Sequence, residues 1–177
     1  MFFRHWTVNL SERRLEAKMA DLLTHVLVPY ILLTVIGWRI DIPKRWIPVA
    51  MGGAAVPDLV KISLVIDPTT VKQVIGMPFS YGAISSLGGL LVIAVGITVL
   101  FEQRVFTRVY GLLLGGGLTA LILDGLRVFA DGYAGFWLYP LWVRPPTPSL
   151  YVTSDPTVPL VTLAIACTVT AIDRFVA

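Results

Sequence analysis

Val109–Phe129 reads VYGLLLGGGLTALILDGLRVF, 21 residues in which only Asp124 and Arg127 carry charge. A helix needs roughly 20 mostly apolar residues to cross about 30 Å of hydrocarbon, and this stretch has that length. The rest of the chain is built in the same way. Hydrophobic residues make up 56% of the 177 and charged residues 14%, where a soluble domain carries about 25%. The mean hydropathy is +0.79. A soluble domain of this size has too much surface to cover with so few charges. The expected fold class is therefore all-α, an integral membrane helical bundle. The composition excludes a disordered chain and a disulfide-rich secreted scaffold, and no internal repeat marks a solenoid.

Four more stretches have the character of a span. Leu22–Ile40 ends at Asp41, Pro43, Lys44 and Arg45. Trp46–Ile66 is interrupted by Pro57, Asp58 and Lys61. Tyr81–Phe101 stops at Glu102 and Arg104, and Val158–Ile172 runs into Asp173 and Arg174. In the second, Gly52, Gly53 and the Pro57-Asp58 pair predict a broken or re-entrant helix. Such backbone is tolerated at membrane depth only under a cover of protein or water. The bundle thus has four or five transmembrane helices.

The organisation is simple. Residues 1–18 form a polar extension with Arg4, Arg13, Arg14 and Lys18; Ser11–Lys18 reads as a short surface helix, and Met19 is a second candidate start. Residues 19–177 form one transmembrane helical domain with a Pro-rich loop at 140–159, where six prolines fall. Proline lacks a donor and breaks helices. Tyr133, Phe136, Trp137 and Tyr139 come just before that loop, followed by Trp142, and such aromatics favour the membrane–water boundary. The loop either caps a site or only anchors the chain at the interface.

The net charge of +3 is scattered, without the run a nucleic-acid binder shows, so membrane lipid is the expected partner. With five crossings, eight Lys and Arg residues fall on the side of the N-terminus and six on the other, a bias toward a cytoplasmic N-terminus. The single cysteine, Cys167, lies in an apolar run and has no partner for an internal disulfide. Gly111, Gly115 and Thr119 form a small-residue stripe, as do Gly116 with Ala120 and Ser85 with Gly89. Such stripes let helices approach closely in lipid and offer faces for a homo-oligomer or a membrane protein partner. The glycines Gly115–Gly117 are no phosphate loop, because no lysine follows them.

Charges inside spans cost about 2.5–3.5 kcal/mol each on insertion scales, so they need an explanation. Asp58 and Asp124 are the clear cases. Asp21 and His25 stand four residues apart near the start of the first span and share a helical face. Together these four offer an O/N ligand set for a divalent metal: zinc, manganese or magnesium. A plainer explanation stands beside it. Lys61 follows Asp58 by three residues and Arg127 follows Asp124 by three, so each acid can form an ion pair on its own helix face. Asp21 can simply complement a helix dipole, and His25 can bond a backbone carbonyl.

The sequence Met19-Ala20-Asp21-Leu22-Leu23-Thr24-His25 resembles the opening of the YdjM-like membrane-bound metal-dependent hydrolases. That family opens with Asp-x-x-Thr-His. It continues with Pro-Asp and a second acid, a His-Arg-Gly-x-Thr-His-Ser motif, a His-x-x-x-Asp pair on a Gly-rich helix and a Trp-Pro segment. Asp21, His25, Pro57-Asp58 and Asp124 follow that order. Lys61 stands where the second acid belongs, Phe79–Ser86 has no histidine, Ala120 takes the place of the later histidine, and Tyr139-Pro140 replaces Trp-Pro. The resemblance implies a site in a prokaryotic cell membrane and a metal-dependent hydrolase acting on a lipid or phosphoester, with Asp21, His25, Asp58 and Asp124 as ligands. The missing histidines imply an altered or lost site. The alternative is then a non-catalytic membrane scaffold or interaction protein, while a transporter finds no inverted repeat to support it.

Overall fold

The computed structural model describes residues 21–77, 79–152 and 155–176; the polar extension at 1–18 lies outside them. Their regular structure is helical, apart from two isolated β-bridges. Six α-helices follow in order: α1 (Asp21–Gly37), α2 (Ile47–Ala55), α3 (Pro68–Ile75), α4 (Leu87–Thr98), α5 (Phe106–Leu126) and α6 (Thr157–Val176). A 3-10 segment, Pro57–Leu64, follows α2.

The helix boundaries have local causes. Asp67 caps α3, its carboxylate accepting from the Thr69 N–H, and Gly76 ends that helix at φ +73°. The Ser86 hydroxyl accepts from the Gly89 N–H and starts α4. The expected span Tyr81–Phe101 is therefore a short turn followed by a helix of 12 residues, about 18 Å long. Ser85 precedes α4, so its stripe with Gly89 is not a helical one. The break expected at Pro57-Asp58 is present: α2 stops at Ala55 and the chain tightens into the 3-10 segment.

Gln103–Leu126 and Thr157–Phe175 are the helices, among the described residues, long and apolar enough to cross a membrane. Asp21–Gly37 and Leu87–Thr98 are apolar but shorter. α5 is the central element, with α2 and α4 packed on it. Leu90, Leu121 and Val56 form one buried cluster; Ala94, Val109 and Leu113 form another.

Glycine sets the distance between α2 and α5. A Cβ on Gly116 would stand 1.8 Å from the Ala50 carbonyl oxygen, and one on Gly53 would stand 2.1 Å from that of Leu113. The two backbones touch there. The neighbouring stripe differs: a Cβ on Gly111 or Gly115 would meet nothing within 4 Å. Of the stripes expected to pack, Gly116 with Ala120 is buried, whereas Gly111 and Gly115 face an open groove.

After α5 the chain returns as a strap. The Thr147 hydroxyl donates to the Arg127 carbonyl at 2.6 Å, and the Leu150 N–H donates to the Leu126 carbonyl at 2.9 Å. These bonds satisfy carbonyls that the end of a helix leaves free. Trp137 lies against Gly125, where a Cβ would come within 2.6 Å of the indole. Tyr133, Phe136, Tyr139 and Trp142 are exposed, as is Cys167.

Adjacent glycines on α5 should therefore respond oppositely to alanine. Gly116→Ala should lose at least the 1–3 kcal/mol typical of overpacking. Gly115→Ala should be neutral, or gain up to about 1 kcal/mol from helix propensity. Thermal unfolding of both variants in detergent checks this.

Candidate metal and charge centre

Asp21 and His25 lie one turn apart on α1, so both side chains reach the same side of the helix. The 3-10 segment presents Asp58 and Lys61 three residues apart, and the last turn of α5 presents Asp124, with Arg127 just past it. These six side chains meet. The four residues expected from the sequence as metal ligands are brought to one place.

His25 is the centre and is fully buried. Its Nε2 lies 3.6 Å from Asp21 Oδ1 and 3.5 Å from Asp124 Oδ1, and its Nδ1 lies 3.5 Å from Asp58 Oδ2. Each distance exceeds the 2.7–3.2 Å of a well-formed hydrogen bond. Both ring nitrogens and Asp58 Oδ2 are buried without a hydrogen-bond partner, and Asp124 Oδ1 has only its ion pair with Arg127. Buried polar groups are normally paired, so three orphaned atoms at one point need a reason.

The carboxylates also have cations. Lys61 Nζ lies 2.7 Å from Asp58 Oδ1 and 3.5 Å from Asp21 Oδ2. The Arg127 guanidinium bridges Asp21 Oδ2 at 3.1 Å and Asp124 Oδ1 at 3.2 Å. Both pairs expected from three-residue spacing are formed. The contacts to Asp21 cross between elements, and Arg127 reaches it over 106 residues of chain. Spacing gives no sign of such contacts. Lys61 and Arg127 are also the outermost members, with side chains 26% and 23% exposed, against 6%, 8% and 13% for the three acids.

The donor set fits a cation. Single atoms of Asp21, His25 and Asp58 lie within 4.8 Å of one another in a buried group that could hold a metal ion. Two ligands of a zinc ion, each about 2.0–2.2 Å away, end up more than 3 Å apart, much as the His25 nitrogens and carboxylates do here. Three carboxylates against Lys61 and Arg127 leave one uncompensated negative charge, which a metal ion or a proton on His25 would answer.

Tyr151, from the strap, closes one side. Its hydroxyl donates to the Leu123 carbonyl at 2.9 Å, beside Asp124 in sequence, and its backbone pairs with Arg127 and Val128. Sequence reading missed it, because only the return of the strap brings it here. Burial, and then the Asp21 charge, push its phenol above the ordinary value of 10.0. No family model matches the chain, and neither a curated protein nor a solved structure matches it.

The raised Tyr151 phenol has a consequence at alkaline pH. The unfolded chain gives up this proton at about pH 10, before the folded one does. Its contribution to stability is thus constant below pH 10 and falls as the pH rises above it. Tyr151→Phe should remove that part of the alkaline loss and cost about 1 kcal/mol at pH 7 through the lost hydrogen bond. Unfolding at pH 7 and at pH 11 measures both.

Proposed function

We propose that this chain is a membrane-embedded, divalent-metal-dependent hydrolase acting on a phosphoester, and a divergent member of the YdjM-like family. The observation that carries the reading is the set of orphaned atoms around His25. Carboxylates from three separate elements face the ring at 3.5–3.6 Å, too far for hydrogen bonds. The membrane setting draws support from α6, whose apolar window is only 11% buried and which exposes Leu160, Val161 and Phe175. A helix so apolar and so bare needs an apolar surrounding. Beyond α5 and α6, α1 with its 17 residues is the next candidate crossing, whereas α4 with 12 is too short to cross alone.

In this reading Asp21, His25 and Asp58 would hold the ion, with Asp124 beside the same imidazole as a further carboxylate ligand. A divalent ion held there would supply Lewis-acid activation for the hydrolysis of a phosphoester. With neutral His25 the centre would then carry one net positive charge: two from the ion and two from Lys61 and Arg127, against three carboxylates. That balance favours an anionic substrate, and the two cations at the rim are placed to meet its phosphate oxygens.

One observation favours a second reading, a scaffold that has lost the metal. Asp58 is closely paired with Lys61, and Arg127 bridges Asp21 and Asp124. A proton on His25 would complete neutrality without any ion. Metal analysis separates the two. The detergent-purified chain, supplemented with zinc, manganese or magnesium and then desalted, should retain about one ion, lost in His25→Gln and in Asp21→Asn. It should also cleave a phosphodiester such as bis(p-nitrophenyl) phosphate only when loaded. A folded chain that retains no ion after supplementation selects the scaffold.

A further inference from the structure

The end of the bundle opposite His25 carries a different feature. A cavity of about 190 Å³ runs between α1, α2 and α5, lined by Leu33, Ile36, Ala50, Gly111, Gly115 and Thr119 among others. Gly111 and Gly115 form part of its floor, and the absence of side chains there keeps it open. The groove continues by helical spacing into a cationic head. Arg108 stands one turn before Gly111 and Leu112 on the same face of α5, and Trp46 one turn before Ala50 at the start of α2. The Arg108 guanidinium lies 5.4 Å from the Trp46 ring centre, and that of Arg45 lies 5.8 Å from it.

Two guanidinium groups thus share one indole. Among the described residues neither forms an ion pair with a carboxylate, and Asp173 is held by the neighbouring Lys44 at 2.6 Å. The indole N–H of Trp46 is buried without a partner. Two guanidinium groups over one ring, neither paired with a carboxylate, favour an anion. An apolar groove one helical turn further along α2 and α5 calls for a hydrocarbon chain. We infer that Arg45 and Arg108, held over the Trp46 ring, bind the phosphate of an anionic phospholipid whose acyl chain lies in the α1–α2–α5 groove. The inference rests on the membrane reading above and is independent of the metal centre.

Spin-labelled lipids test it on the full chain reconstituted in phosphatidylcholine vesicles. The motionally restricted spectral component should show phosphatidylglycerol held at least about fivefold over phosphatidylcholine. About fivefold is also the share expected of each guanidinium near an anionic surface. Arg45→Gln with Arg108→Gln should bring the ratio to about one. Both side chains are exposed, so helix content should not change. Gly115→Leu fills the groove where a Cβ meets nothing and should weaken phosphatidylglycerol association several-fold; Gly111→Leu is the second such variant. Equal retention of the two lipids by the unmodified chain overturns the inference alone. No restricted component with either lipid overturns the membrane reading as well. Displacement of the labelled lipid by soluble glycerol phosphate, equally in Gly115→Leu and the unmodified chain, would assign the cations to free phosphate and overturn the lipid site.

Discussion

Charge pairing around His25 is the constraint on which the described structure turns. Three carboxylates, an ammonium and a guanidinium surround a fully buried imidazole. Charges removed from water are stable only while paired, and taking away one partner of a buried pair costs about 3–5 kcal/mol. No single element supplies the balance. α1 brings an acid and the imidazole, the 3-10 segment an acid and a cation, and the end of α5 the last of each. The glycine contact between α2 and α5 sets the spacing that lets the last two groups reach α1.

The two ends of the bundle differ in kind. One gathers ionisable groups inward, under a strap that also satisfies the last carbonyls of α5. The other turns its cations outward, around Trp46. Between them α5 uses its glycines in two ways. Gly116 gives its face to the backbone of α2, while Gly111 and Gly115 leave theirs open. A stripe of small residues therefore does not say by itself whether a helix or an empty groove lies beside it.

What the sequence made legible is local. The four-residue step from Asp21 to His25 and the three-residue steps to Lys61 and Arg127 are all realised as contacts. The break at Pro57-Asp58 follows from proline chemistry, as expected. The rest depends on partners distant in the chain. The bridge from Arg127 to Asp21 and the approach of Tyr151 leave no periodic signal. Hydropathy counted residues 81–101 as one span, but the Ser86 cap gives the first six to a turn. Composition averages over such a window and does not register a cap.

A double-mutant cycle between Asp21 and Arg127 tests the shared charge centre most directly. Asp21→Asn, Arg127→Gln and the double variant are compared by unfolding in one detergent. If the two groups neutralise each other within one buried network, their coupling exceeds about 1 kcal/mol. Losses that add to within about 0.5 kcal/mol would mean that the two side chains act apart, and would contradict a common centre around His25.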